Sequence, residues 1–261
     1  MPDENDPTQV QPQDNILIEL DVDTLDNMKR EKLAELVPHV SHFVVGTRLL
    51  TSEGFPLVNE FIGELGGKIF YDGGLCLPPR EMRGVVKALA SYEAVDMFSV
   101  RLACGWRSVV AALVPPHGKK VVGIASTLKP SPNSPAGKHD FRYSVRSFID
   151  YRGYAYLCPV QRFEAFRSAY KDHLGAGTDL IRLIASDTRP VWVPQTEKQK
   201  TQRLDHRTPG LAIRRGANAG VVIRWSDLVS RKVGGQQDLP IKLQTVRKEM
   251  LAARSALAAV A

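Results

Sequence analysis

The feature that most narrows what this chain can fold into is its rhythm. From residue 16 onward, short continuous apolar runs, many of them β-branched, alternate with longer amphipathic stretches. The runs fall at 16–22, 42–45, 68–71, 95–100, 119–125, 154–157, 180–184 and 220–223. Continuous apolar runs of this length read as strands of a parallel sheet buried on both faces. The stretches between them read as helices, at 24–36, 53–65, 79–91, 105–113, 160–173 and 209–215, with a last one at 240–258. Residues 53–65 place Phe55, Val58, Phe61, Ile62 and Leu65 on one helical face. Asp23 stands where an N-cap is expected, and Pro79 sits near a helix start, where proline is favoured. Strand–helix alternation repeated eight times fits a barrel or a doubly wound sheet, and a length of 261 residues favours one barrel. The expectation is an α/β fold, a single (β/α)8 TIM barrel over residues 16–261. Residues 1–15 are polar and proline-containing and read as a disordered lead-in.

Composition narrows the ligand more than the fold. The formal net charge is +7, which suits anionic ligands such as phosphates, nucleotides or nucleic acid, and equally suits plain solubility. Cys76, Cys104 and Cys158 form no CxxC pair and no Cys/His cluster, so reduced thiols in a cytoplasmic compartment are expected. No apolar run approaches the ~20 residues of a membrane helix. The six histidines show no HxH or HExxH spacing, and the Gly66-Gly67 and Gly73-Gly74 pairs are not a G-x-G-x-x-G loop. Neither a metal nor a cofactor is expected.

Two segments break the rhythm. Residues 130–140, PSPNSPAGKHD, follow the fifth run and read as a lid or a tolerated surface insertion. Residues 194–207 follow the seventh run, in the neighbourhood where phosphate-binding barrels often cradle the phosphate.

An ordered series of short pieces carries a resemblance. ILIELDVD begins at Ile16, HFVVGTRLL at His42, GGKIFYDGG at Gly66, VDMFSVRLACG at Val95 and KKVVGIAST at Lys119, and RTPGLAIRRGANAGVVIRW begins at Arg207. In that order and spacing the chain resembles the orotidine 5′-monophosphate decarboxylase superfamily over nearly all of its length after residue 15. The resemblance implies a homodimer and a phosphorylated small-molecule ligand. It implies that Asp21, ending the first strand, holds ribose hydroxyls, a task suited to a carboxylate that accepts two hydrogen bonds. It implies that Arg224 grips the phosphate with its planar fork, although Ile223 stands where the family usually has Gly. Arg189-Pro190 matches a family Arg-Pro pair, and Gln195, Gln199 and Gln202 follow it.

The catalytic positions depart from the family. Its third strand carries D-x-K-x-x-D, and its second strand a further Lys. Here Asp72 is kept, while Gly74, Leu77 and Val44 replace the other three charges. A glycine cannot protonate a carbanion-like carbon. Arg101 stands where the fourth strand of the family ends near a His, and Lys129 follows Ser126 and Thr127 after the fifth. Asp72, Arg101 and Lys129 are therefore the candidate catalytic groups, with Asp21, Arg189 and Arg224 as candidate substrate-binding groups. An Arg101–Asp72 pair would replace the lost Lys–Asp contacts. Two readings follow: a diverged enzyme, such as a lyase or proton-transfer catalyst on a phosphorylated ribonucleoside or sugar phosphate, and a non-catalytic nucleotide-binding protein. Ordinary decarboxylation is disfavoured on chemical grounds. Nucleic-acid binding through residues 198–207 is the weakest reading, because no aromatic residue interleaves those charges.

Overall fold

A computed structural model describes residues 15–28, 30–114, 118–124, 143, 145–164, 166–167, 182–190, 193, 208–229 and 238–259. Within them eight parallel strands pair in sequence order and close on themselves. They are β1 (Ile16–Glu19), β2 (His42–Gly46), β3 (Ile69–Leu75), β4 (Val95–Arg101), β5 (Lys120–Ile124), β6 (Ala155–Pro159), β7 (Leu183–Thr188) and β8 (Gly220–Arg224). Closure is made by β8 against β1, with Ile16 opposite Val221 and Glu19 opposite Arg224. The expected barrel is the observed one, and each of the eight apolar runs became a strand. β3 continues past its apolar run to Leu75, because the ladder does not need apolar side chains to persist; its register against β4 shifts between Tyr71 and Leu75.

Strand alternation sorts the buried residues into two cores. Leu17, Val44, Phe70, Met97, Val122, Ala155, Leu157, Ile184, Ala219 and Val222 fill the inside of the barrel. Val45, Phe98, Val121, Tyr156, Ala185 and Ile223 point outward, into a larger core shared with the helices. The interior is a packed layer rather than a pore, as the narrow eight-strand geometry requires.

The described helices include α1 (Arg30–Leu36), α2 (Thr47–Glu53), α3 (Phe55–Glu64), α4 (Pro79–Ala90), α5 (Trp106–Leu113), α6 (Pro209–Arg214), α7 (Trp225–Val229) and α8 (Leu239–Ala258). Four differ from the sequence pattern, α2 being a helix that the pattern did not show. The helix expected at 53–65 begins only at Phe55, because Gly54 at φ 80° breaks it from α2. The helix expected at 24–36 opens with a separate 3-10 turn at Leu25–Asn27. Asp23 does not cap it; its carboxylate takes the Arg48 guanidinium on α2, with Nη2 at 2.7 Å from Oδ2. α7 was not foreseen, being too short for helical periodicity to register. It is held from below by the buried Lys242 on α8, whose ammonium donates to the Leu228 carbonyl at 2.7 Å.

The cysteine expectation is overturned. Cys76, just past β3, and Cys104, just past β4, form a disulfide with their Cα atoms 5.3 Å apart, while Cys158 is free and buried. The spacing of 28 residues hid the pairing, which exists only because β3 and β4 are neighbours in the sheet. Lys129, residues 130–140, residues 194–207 and the lead-in up to Asp14 lie outside the described residues. Among the described residues no helix is long and apolar enough to cross a membrane.

Closing a loop of this size by a disulfide is worth about 3–4 kcal/mol in the chain-entropy account. Cys104→Ser should therefore lower stability in urea titration by a few kcal/mol in oxidising buffer and by much less in dithiothreitol. Equal stability of the native chain in both buffers would show that the thiols are not paired.

Candidate active site at the C-terminal mouth

The strand ends place a polar layer above the apolar one. Stepping two residues on from the inner core brings Glu19, Gly46, Asp72, Ser99, Ile124, Ser186 and Arg224 to the mouth. Two of these, Asp72 and Ser99, form one hydrogen-bonded unit with Gly74. The Ser99 hydroxyl, fully buried, donates to Asp72 Oδ1 at 2.7 Å, and the Gly74 N–H donates to Ser99 Oγ at 2.9 Å. Burial raises the Asp72 carboxyl above its ordinary range; the Ser99 hydrogen bond and the Arg101 charge act in the opposite direction. Ser99 was passed over in the sequence, although the alternation Met97–Ser99–Arg101 carries its signal.

Arg101 takes up the space that Gly74 leaves open. A Cβ at Gly74 would lie 2.9 Å from Arg101 Nε and 3.2 Å from Ile124 Cδ1, and Gly74 sits at φ 53°. A side chain there would meet the arginine and strain the backbone. The guanidinium thus stands over the position that is Lys in the resembled family. Its influence on Asp72 is an attraction at a distance rather than the direct ion pair that was expected. Val44 is an inner-core residue 3% exposed, and Leu77 packs against the outer core. Neither position brings a charge to the mouth.

The three candidate binding residues meet at the β1, β7 and β8 ends. Asp227 on α7 feels all of them: burial raises its carboxyl, Arg189 and Arg224 lower it, and Asp21 raises it. Arg224 Nε lies 3.4 Å from Glu19 Oε2. Asp21 is engaged with α7: its Oδ1 accepts the Ser226 N–H at 2.9 Å and its Oδ2 accepts the Ser226 hydroxyl. A carboxylate there completes the amide group of a helix start. Thr188, buried at the end of β7, donates to the Val222 carbonyl at 2.5 Å and so fixes the strand from which Arg189 emerges. Trp225, beside Arg224 in sequence, turns into the outer core and does not shape the mouth. Alternation with Leu17 would have found Glu19. Nothing in the sequence links Ser226 and Asp227 to Asp21, which lies 205 residues from Ser226.

No family model matches the chain, and no curated protein sequence does. Solved structures do. Orotidine 5′-monophosphate decarboxylase from Sulfolobus solfataricus superposes with a TM-score of 0.63 at 13% identity, covering 92% of this chain and 98% of that one. The chain has the orotidine 5′-monophosphate decarboxylase fold. The enzyme from Metallosphaera sedula gives a TM-score of 0.61 at 18% identity, over 92% of this chain and 99% of that one. Orotidine 5′-phosphate decarboxylase from Pyrococcus horikoshii OT3 gives 0.59 at 16% identity, over 90% and 99%. Likeness to orotidine 5′-monophosphate decarboxylases at this identity concerns architecture, and functional sites are grafted on folds residue by residue.

The Asp72 environment has a measurable signature. A carboxyl whose folded pKa is raised contributes stability below its unfolded pKa, and loses it as pH rises through the folded value. Asp72→Asn should therefore raise Tm at pH 7, where the unfolded carboxyl is charged and burial in the folded chain disfavours that charge. The gain should vanish below about pH 4, where the unfolded carboxyl is protonated as well. A lower Tm for the variant at pH 7 would contradict this account.

Proposed function

We propose that the chain binds a phosphorylated ribonucleoside or sugar phosphate at the C-terminal mouth and has left ordinary orotidine 5′-monophosphate decarboxylation behind. The observation that supports this reading most directly is Arg101 lying over Gly74 beside Asp72. Arginine stays charged across the accessible pH range, so it holds an anion well and serves poorly as a proton donor. Arg101 is therefore not equipped to protonate a carbanion as a lysine at position 74 would be. Asp72, with burial pushing its carboxyl upward, is suited to accept or return a proton next to an anionic group held by Arg101. In this reading Arg224 and Arg189 receive the phosphate and Asp21 lies at the ribose end; Lys129, the remaining candidate catalytic group, lies outside the described residues. The relatives named above are decarboxylases of orotidine monophosphate, which makes nucleoside monophosphates the first ligands to try. The homodimer implied by the resemblance belongs to the same proposal, without a partner-reaching carboxylate at Leu77.

The second reading, a nucleotide binder without chemistry, draws on the neutral Val44 and Gly74. Titration calorimetry with uridine monophosphate, orotidine monophosphate and ribose 5-phosphate decides whether a phosphate site exists. Micromolar binding abolished by Arg224→Ala is the expected result; silence from all three ligands would sink the nucleotide reading. Glu19 competes with phosphate for Arg224, so Glu19→Gln should tighten binding several-fold. Asp72→Asn should keep binding and abolish any turnover found, which separates the enzyme from the binder. Gly74→Lys should not produce decarboxylation, because the new side chain displaces Arg101 and meets no carboxylate at Leu77 or second ammonium at Val44.

A further inference from the structure

The opposite end of the barrel carries a second cluster of charge that the mouth does not use. A cleft of about 510 Å³ opens where β5, β6 and β7 begin, lined among others by Lys119, Lys120, Tyr151, Arg152, Tyr154 and Arg182. Four of its lining side chains are cationic, and among the described residues no carboxylate lines it. The carboxylate beside it is Asp96, whose Oδ2 takes both Lys120 Nζ at 2.9 Å and His42 Nε2 at 2.8 Å. Both partners hold Asp96 well below the usual carboxylate range. Lys120 and Arg182 lie against the Tyr154 ring, at 5.1 and 5.2 Å from its centroid. Lys119 Nζ donates to the Tyr92 carbonyl at 3.1 Å.

These groups sit on rigid backbone. The Tyr154 N–H donates to the Val121 carbonyl, and the Arg182 carbonyl accepts from the Tyr156 N–H, both at 2.8 Å, so the two flank the closed ladder. Arg152 is held differently. At φ 59° it is the non-glycine residue with positive φ among those described. It occupies the turn that ends the helical residues 145–150, where its N–H donates to the Ile149 carbonyl and the next N–H, of Gly153, to that of Phe148. Glycine is the usual occupant of such a left-handed helix end. Gly153 itself is required, because a Cβ there would sit 2.1 Å from the Phe148 ring. Keeping an arginine at 152 carries a backbone cost with no compensating ion pair to an acid among the described residues. Strain of this kind gathers where function demands a particular side chain.

We infer that this cleft is a binding site for a small ligand carrying two or more phosphate groups, distinct from the site at the mouth. Its volume matches small-molecule sites rather than the track of a nucleic acid strand. Even with Lys120 paired to Asp96, Lys119, Arg152 and Arg182 line the cleft, more positive charge than a single phosphate needs, and the arginine fork suits phosphate geometry. The barrel separates the two ends by the length of a strand, roughly 15 Å at ~3.3 Å per residue, so substitutions at one end leave the other intact.

The test uses titration calorimetry of the full chain with orthophosphate, tripolyphosphate and ATP. Tripolyphosphate or ATP should bind at least tenfold tighter than orthophosphate. Arg182→Ala should weaken that binding at least tenfold, and Arg224→Ala should leave it unchanged. Arg152→Gly is the second variant: it removes a cation while relieving the backbone, so it should weaken binding with Tm equal to or above that of the native chain. Binding of ATP but not tripolyphosphate identifies a nucleotide as the ligand, and equal binding of both identifies the phosphate chain itself; either supports the site. Absence of binding by both, loss of binding in Arg224→Ala alone, or binding of oligonucleotides only would overturn it. None of these outcomes depends on whether the mouth binds a nucleoside monophosphate.

Discussion

Closing eight short parallel strands into a ring forces every second side chain of each strand into one narrow space. Everything else in this protein follows from how that space is filled. One apolar layer, with Phe70 and Met97 among its largest members, fills the middle. The next residue inward along each strand must then sit above that layer, partly out of water, and any polar group there must find a partner. Ser99 meets that demand for Asp72 and for the Gly74 N–H together. A hydroxyl that donates and accepts in one position suits a layer where neighbouring strands present an acceptor and a donor.

The same geometry explains how Arg101 comes to stand near Asp72. Position 74 and position 101 stand on adjacent strands and share one volume above the layer. A side chain can enter that volume from either strand, but not from both. With glycine on β3, arginine from β4 occupies it. The result is a cation near Asp72 whose guanidinium holds its protons where an ammonium can part with one. Near the β8 end a comparable economy holds α7: Asp21 secures its first turn and Lys242 its last carbonyls. The short helix that carries Asp227 is thereby fixed against two arginines.

The two ends of the barrel treat charge in different ways. At the mouth, acids and arginines alternate, with Glu19 against Arg224 and Asp227 near Arg189. At the base, Asp96 takes His42 and Lys120 at once, and among the described residues no carboxylate lines the cleft beside them. His42 is buried, and burial pushes it below its ordinary pKa against the opposing hydrogen bond and charge of Asp96.

Eight apolar runs separated by amphipathic stretches indicated the strand number and their order, and the chain length favoured the barrel, because strands buried on both faces are mostly apolar. Asp72, Val44 and Gly74 were singled out by the resemblance, which matches them to charged positions of that family, and the structure then assigns each to a face of its strand. Tertiary structure alone decided the rest. The Cys76–Cys104 pair, the Ser226 contacts of Asp21 and the arginine over Gly74 all join residues far apart in sequence. No local pattern encodes such contacts. They arise when closure sets strand against strand and one side chain reaches a volume that another has left empty.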